Sequence, residues 1–326
     1  MKKVLLIAGG NSSEHYVSCR SAQSILENID REKYEITTCL VDLNNQWYLY
    51  HGNDQDITSW QKQKITKIDN IINFLKDFAV IFPIIHGTNG EDGKLQGMLD
   101  LFNIKYVGSK TLGSAIGMDK EFMKIIFNNL NIPQVPFVVI NTDYNIEDII
   151  NKMDLPLIVK PANGGSSIGI TKANNEKELI LAIEEAKKYD SKVIIEKYLK
   201  ARELEVSVLN GEKMIISNTG EIKSANEFYD YNAKYENNKS LTIVPAIVPD
   251  EVNKTIKEYA KQAFNGINAS GLARVDFFYD EDNNQIYLNE INTLPGFTTI
   301  SMYPKLLINE GISYQELISI LIESAK

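Results

Sequence analysis

The chain has 326 residues, with 34 Lys+Arg against 43 Asp+Glu and a formal net charge of −9. At about 100–200 residues per domain, this length suggests two or three domains that bury their own cores without staples. An apolar share of 44 % with 24 % charged residues is a soluble globular composition. The acidic balance argues against broad nucleic-acid or anionic-membrane binding, which needs a Lys/Arg excess, but leaves room for a local phosphate pocket.

Met1-Lys2-Lys3 and the apolar run 4–8 imitate a signal peptide, but the run stops at Gly9-Gly10 and reads better as a first buried strand. No apolar run approaches the ~20 residues of a membrane span. Cys19 and Cys39 are too few for a disulfide framework and read as small buried hydrophobes, fitting a reducing cytosol. Residues 17–28 have helical apolar spacing, 34–42 read as a strand, 68–75 as helical, 79–85 as a third strand and 95–102 as a helix. Strands alternating with helices imply a parallel sheet covered on both faces. Ligands of such sheets sit at strand carboxyl ends, which puts Glu14 and His86 near one crevice. The Gly9-Gly10 turn is neither a dinucleotide fingerprint nor a P-loop.

From about Thr111 the texture changes. Residues 118–130 read as a helix, with Pro133 and Pro136 at its exit; 157–160 is a short strand, 177–188 a helix and 193–196 a strand. Residues 204–209 and 213–217 flank Asn210-Gly211, a two-residue hairpin signal, so antiparallel structure is expected here. A second hairpin, 273–279 with 285–291, follows around a polar turn; 256–264 and 314–323 are amphipathic helices. Residues 224–240, rich in Asn, Tyr and Lys, lack periodicity and are long for a loop, as lids and disordered segments are.

The second hairpin carries the clearest chemistry. Arg274 and Asp276 are two apart on one strand, and Glu290 and Asn292 two apart on its partner. A turn centred near Asn283 sets Asp276 opposite Glu290 and Arg274 opposite Asn292, on one face. Three oxygen-donor side chains without His or Cys suit Mg²⁺ or Mn²⁺ shared with substrate phosphates, not Zn²⁺. The alternative is a solvated face with a surface ion pair, but the opposite face (Val275, Phe277, Ile291) is apolar. Lys160 then runs into Pro161–Gly169, small residues whose N–H groups can bind anions; a flexible turn is the other reading. Alone, Lys120 and Lys234 read as surface lysines, Tyr198 and Phe228 as core aromatics, and Glu14 as a carboxylate at a helix N-terminus. His86 reads as packing as readily as catalysis. The residues by themselves reach a metal-assisted phosphoryl-transfer enzyme with a lid, and not its substrate.

Seven ordered motifs carry a resemblance across nearly the whole chain. They are Gly9-Gly10-Asn11-Ser12-Ser13-Glu14-His15, His86-Gly87-Thr88-Asn89-Gly90-Glu91-Asp92-Gly93-Lys94-Leu95-Gln96-Gly97 and Met118-Asp119-Lys120. Lys160-Pro161…Gly165-Ser166-Ser167, Phe228-Tyr229-Asp230-Tyr231-Asn232-Ala233-Lys234-Tyr235, Arg274-Val275-Asp276 and Asn289-Glu290-Ile291-Asn292-Thr293-Leu294-Pro295-Gly296 complete the set. The chain resembles the D-alanine–D-alanine ligases of the ATP-grasp superfamily. The resemblance implies an α/β fold, α+β in its C-terminal half: a Rossmann-like substrate domain (1–108), a central ATP-grasp subdomain (109–195) and a C-terminal subdomain (196–326) with the metal site and the lid 224–240. It implies that ATP phosphorylates a first D-alanine, whose acyl phosphate a second D-alanine attacks. A carboxylate is a poor electrophile with a poor leaving group, and phosphorylation corrects both.

The resemblance also implies roles. Asp276, Glu290 and Asn292 match ligands for two Mg²⁺, Lys120 and Lys160 the lysines on the α/β-phosphates, and Lys234 the lysine near the transferred phosphoryl group. Glu196 and Glu203 match adenine and ribose contacts, with Tyr198 and Phe228 as walls of the slot; Leu199, Ser166, Ser167 and Asn289 complete the nucleotide site. Arg274 and the Gly296 N–H would stabilise the oxyanion. Glu14 would bind the first ammonium beside His86, and Ser301 with Met302 the second carboxylate. Tyr235, Ser166 and Glu14 match a hydrogen-bonded trio that latches the lid and excludes water. Ligases that make D-alanyl-D-lactate differ in this lid, so Tyr235 favours the dipeptide. Two departures stand out: Tyr16, where many relatives carry an acid, and Gly164, which replaces a bulkier residue and is expected to loosen its loop. The resemblance further implies a cytoplasmic homodimer serving peptidoglycan precursor synthesis. The alternatives are a D-serine or D-lactate ligase and a catalytically silent nucleotide-binding module.

Overall fold

A computed structural model describes residues 1–223 and 241–326. Its strands, in chain order, are β1 (Lys2–Gly9), β2 (Tyr34–Val41), β3 (Trp47–Tyr50), β4 (Ile65–Lys67), β5 (Val80–Pro83), β6 (Phe137–Ile140), β7 (Leu157–Pro161) and β8 (Thr171–Ala173). They continue as β9 (Val193–Lys197), β10 (Arg202–Asn210), β11 (Met214–Ile216), β12 (Gly220–Lys223), β13 (Leu241–Ile243), β14 (Gly271–Asp280) and β15 (Gln285–Asn292). Among the described residues they form three sheets, ordered β4-β3-β2-β1-β5, β6-β9-β7-β8 and β13-β12-β10-β14-β15, with β11 on β10.

The first sheet is parallel where strands alternate with helices (β2, β1, β5) and gains an antiparallel edge from β3 and β4. β1 is apolar on both faces because both are covered. Val4, Leu6 and Ala8 enter a core shared with the helix His15–Asn28, while Leu5 and Ile7 pack with Leu95 and Leu99 of the helix Lys94–Leu101. The first of these cores also takes Phe297, Tyr303 and the face of the helix Tyr314–Glu323, so the end of the chain packs against its beginning. The second sheet buries Leu157, Val159, Val193 and Ile195 against the helix Glu176–Ala186. The third packs Val206, Val208, Val275 and Phe277 on the helices Asp250–Gly266 and Lys120–Asn129.

Three local expectations change. The helix predicted over 118–130 starts two residues later, at Lys120–Asn129, and a separate helix, Thr111–Met118, precedes it, because Asp119 leaves the helical conformation and its side chain caps Glu121 N and Phe122 N. Asn210 is the last residue of β10, paired with Met214, so the first hairpin turns through Gly211, Glu212 and Lys213 instead of a two-residue Asn-Gly turn. The helix predicted over 68–75 shortens to Ile71–Leu75, where the Asn70 side chain caps Asn73 N. Both cysteines are buried as expected, and burial pushes the Cys19 thiol up to about 12. Among the described residues no helix is long and apolar enough to cross a membrane.

Candidate active site

The predicted face of the second hairpin forms: Asp276 pairs with Glu290 and Arg274 with Asn292. A β-bulge makes this possible. At the turn the register is Asp280↔Gln285 and runs to Phe277↔Leu288; Asn289 is then the extra residue before Asp276↔Glu290. Without it, the period-2 alternation would turn Glu290 to the face of Val275.

The resulting cluster is tightly bonded. Arg274 Nε and Nη2 donate to the two carboxylate oxygens of Asp276 at 2.7 and 2.6 Å. Nε also lies 3.1 Å from Glu205 Oε2, on β10 opposite Asp276, so among the described residues Nη1 is the remaining donor edge. Burial disfavours the Arg274 cation, but Asp276 and Glu205 outweigh it and drive its pKa well above the usual arginine range. Asn292 Nδ2 donates to Asp276 Oδ2 at 3.0 Å, so Oδ1 is its remaining oxygen. Lys120 Nζ lies 3.7 Å from Glu290.

A second charged knot joins the middle sheet to the helix Lys120–Asn129. Glu196 Oε1 is 2.7 Å from Lys124 Nζ and Glu196 Oε2 is 2.8 Å from Lys160 Nζ. Burial alone would raise the Glu196 carboxyl, but Lys124 and Lys160 outweigh it and lower it to about 2. A pKa depressed on folding stabilises the native state above the unfolded value near 4.5. This contribution is expected to fade as pH falls from about 4.5 toward 2, and urea midpoints of wild type and Glu196→Gln across that window would converge.

The loop after β7 leans on the same site. Ser166 and Ser167 have positive φ angles of 54° and 59°, and Lys120 Nζ donates to Gly164 O at 2.9 Å. Gly164 has a φ of 147° and open space where a Cβ would be; the expected loosening meets a loop tied at this carbonyl. A Cβ on Gly165 would come 3.1 Å from Glu14 Oε2, so loop and first helix touch. Ser166 Oγ is buried without a hydrogen-bond partner among the described residues.

His86 is buried with both ring nitrogens engaged: Nδ1 donates to Leu294 O at 3.0 Å, and Nε2 lies 2.9 Å from Ser21 Oγ. Ser21 Oγ accepts from Phe297 N at 3.2 Å, so its own proton goes to Nε2. Burial pulls the His86 pKa down against the opposing charge of Glu14, keeping the ring neutral. His86 thus ties the first sheet to the loop after β15 that bears Gly296. Gly87, at a φ of 77°, lies between two carboxylates: a Cβ there would meet Glu14 Oε2 at 2.8 Å, and its N–H donates to Glu91 Oε2 at 2.6 Å. Burial, then Glu14, push Glu91 well above the usual carboxylate range.

One cavity of about 570 Å³ gathers these groups. On the nucleotide side of the prediction it is lined by Lys120, Lys160, Ser166, Ser167, Glu196, Tyr198, Leu199, Glu203 and Asn289. On the substrate side it is lined by Glu14, His86, Arg274, Gly296, Ser301 and Met302, with Asp276, Glu290 and Asn292 between. Phe228, Lys234 and Tyr235, with the predicted lid, lie outside the described residues. Sequence reasoning missed Glu91, Lys124 and Glu205. Lys124 stands one helical turn after Lys120, a spacing that could have found it; Glu205 depends on the β10–β14 pairing.

The chain matches the family models "D-ala D-ala ligase N-terminus" over residues 3–109 and "D-ala D-ala ligase C-terminus" over residues 126–323. It is 44 % identical to a D-alanine–D-alanine ligase of Caldicellulosiruptor bescii, covering 99 % of this chain and 94 % of that one. It is also 44 % identical to the ligase of Clostridium acetobutylicum, covering 99 % and 98 %. Among solved structures it is similar to the VanG D-Ala:D-Ser ligase of Enterococcus faecalis, with a TM-score of 0.87, 34 % identity and 98 % of each chain covered. It is similar, too, to the D-alanine–D-alanine ligase of Bacillus anthracis complexed with ATP, with a TM-score of 0.80, 29 % identity and 99 % and 97 % covered.

Proposed function

The chain belongs to the D-alanine–D-alanine ligase family, and from that premise we propose that it is an ATP-dependent ligase joining two D-alanines for peptidoglycan precursor synthesis. A carboxylate oxygen of the first D-alanine bonds to the γ-phosphorus of ATP as the bond to ADP breaks. The unprotonated amine of the second D-alanine then attacks the acyl carbon, the C–O bond to the phosphate breaks with its electron pair on the departing oxygen, and the proton lost from nitrogen goes to the released phosphate. What supports this reading is the convergence of every described residue singled out from the motifs on one cavity.

In this reading the division 1–108, 109–195 and 196–326 gives each unit one task. The first supplies Glu14 for the substrate ammonium, beside His86, whose burial favours the neutral ring. The second supplies Lys160 and, with Lys120, Ser166 and Ser167, the phosphate cradle; Lys234 adds its charge nearby. Glu203, Tyr198, Leu199, Asn289 and Phe228 hold the nucleoside, beside Glu196, whose carboxylate oxygens hold Lys124 and Lys160. The third supplies Arg274, whose remaining Nη1 edge joins the Gly296 N–H as oxyanion donor, while Ser301 and Met302 hold the second carboxylate. Tyr235 closes on Ser166 and Glu14, giving the orphaned Ser166 hydroxyl a partner.

The donor set of Asp276, Glu290 and the Asn292 carbonyl fits hard divalent cations, Mg²⁺ or Mn²⁺: it is all oxygen and shares one sheet face. When bound, such ions neutralise phosphate charge as the phosphoryl group transfers. Cytoplasmic location and a homodimer complete the reading, the latter checked by light scattering.

The deciding experiment offers ATP, Mg²⁺ and equimolar D-alanine, D-serine and D-lactate, with products identified by mass. D-alanyl-D-alanine is the expected main product. A mixed product with D-serine, as the similarity to the VanG enzyme allows, would reassign the second substrate, and no phosphate release would sink the ligase.

A further inference from the structure

Lys124 does not line the cavity, yet its side chain is only 1 % exposed and its Nζ is 2.7 Å from Glu196. The other Glu196 oxygen holds Lys160, which does line the cavity, at 2.8 Å. Phe137 lies under Lys124, its ring centroid 5.0 Å from Nζ. One buried carboxylate is therefore shared between two ammonium groups, of which only one faces the site. We propose that Lys124 is a positioning residue for the nucleotide: by sharing Glu196 it leaves Lys160 charge uncompensated and available to the phosphates.

This rests on the reading that the nucleotide phosphates meet Lys160. A lysine paired with a carboxylate of its own is a closed neutral pair, and an arriving phosphate must compete with that carboxylate. Adding Lys124 turns the pair into a triad of net charge +1. Glu196 then fixes the Lys160 ammonium in place without cancelling the knot's charge, a preorganised arrangement for an anion. Lys124 acts only through Glu196, since the buried helix face holds it away from the cavity.

Calorimetric titration of the full chain with ADP and with adenosine separates the phosphate share of binding from the nucleoside share. In Lys124→Met, ADP is expected to bind about tenfold more weakly while adenosine affinity holds, the loss of about one charge-assisted interaction. A packing role alone would weaken both ligands together. Unchanged ADP affinity, or equal weakening of ADP and adenosine, overturns the proposal. Should Lys124→Met not fold, Lys124→Met/Glu196→Gln removes both charges and leaves Lys160 uncompensated. Its ADP-to-adenosine affinity ratio is expected to match or exceed that of wild type, and a tenfold fall in that ratio overturns the proposal. Wild type that binds no ADP sinks the nucleotide reading and this inference together; wild type that binds ADP with an unchanged variant sinks this inference only.

Discussion

Glu290→Gln is expected to lower ligation by about 10²–10³-fold or more while the fold survives. The side chain is 24 % exposed and faces the cavity from β15, so no core depends on it. Gln keeps the shape and removes the charge. Arg274 keeps Asp276 and Glu205 as partners, and Lys120 keeps the Gly164 carbonyl. What is lost is one of the two carboxylates in the proposed cation site. Asp276→Asn would be a poorer probe, because it also breaks the two-bonded contact with Arg274 and takes the nearest countercharge from a part-buried guanidinium. Steady-state ligation against Mg²⁺ concentration, with a thermal melt, checks the prediction. A higher Mg²⁺ requirement, a collapsed kcat and an unmoved melting temperature are expected; turnover near wild type at ordinary Mg²⁺ would remove Glu290 from the site.

The part of this site legible in the sequence is the part built from local periodicity. Arg274 and Asp276, two apart on a strand, must share a face, and the polar turn near Asn283 sets which residues oppose them. The expected pairs form. Their agreement hides a detail no pattern exposed: the strand is in register only because Asn289 is bulged. Strand β1 was legible for a similar reason, since an apolar run ended by two glycines has few other uses. What stayed hidden depends on contacts between distant segments. Glu205 matters because β10 lies beside β14, a pairing not announced by either strand. Lys124 looked like any helix lysine until Glu196, over seventy positions away, was placed against it. His86 read equally as packing or catalysis because its partners, Ser21 and Leu294, come from opposite ends of the chain. The Asn210-Gly211 signal failed locally: strand pairing extended through Asn210, and tertiary contact overrode turn preference.

Phe297→Ala is expected to cost about 3–5 kcal/mol of stability and to lower turnover without touching nucleotide affinity. The ring is fully buried, with centroids 6.1 Å from Phe82, 5.7 Å from Tyr303 and 5.5 Å from Tyr314. These neighbours come from β5 and the two helices Met302–Asn309 and Tyr314–Glu323, so truncation opens a void where the chain's beginning and end meet. Its backbone is equally fixed: the N–H donates to Ser21 Oγ and the carbonyl accepts from the Tyr314 hydroxyl. Gly296 immediately precedes it, so the proposed oxyanion donor is aimed by this packing. A donor displaced by a fraction of an ångström loses much of its effect on a developing charge. Lys160 and Glu196 belong to a different sheet, packed on a different core, and the nucleotide should not sense the change. Phe297→Leu keeps most of the volume and is expected to fall between wild type and Phe297→Ala on both scales. Urea unfolding, kcat with D-alanine and the Kd for ADP test this together. If the Kd for ADP rises in step with the loss of kcat, the damage is general, and Phe297 does not act through Gly296. If stability falls alone with kcat intact, the Phe297 packing does not aim the Gly296 N–H, and this prediction fails.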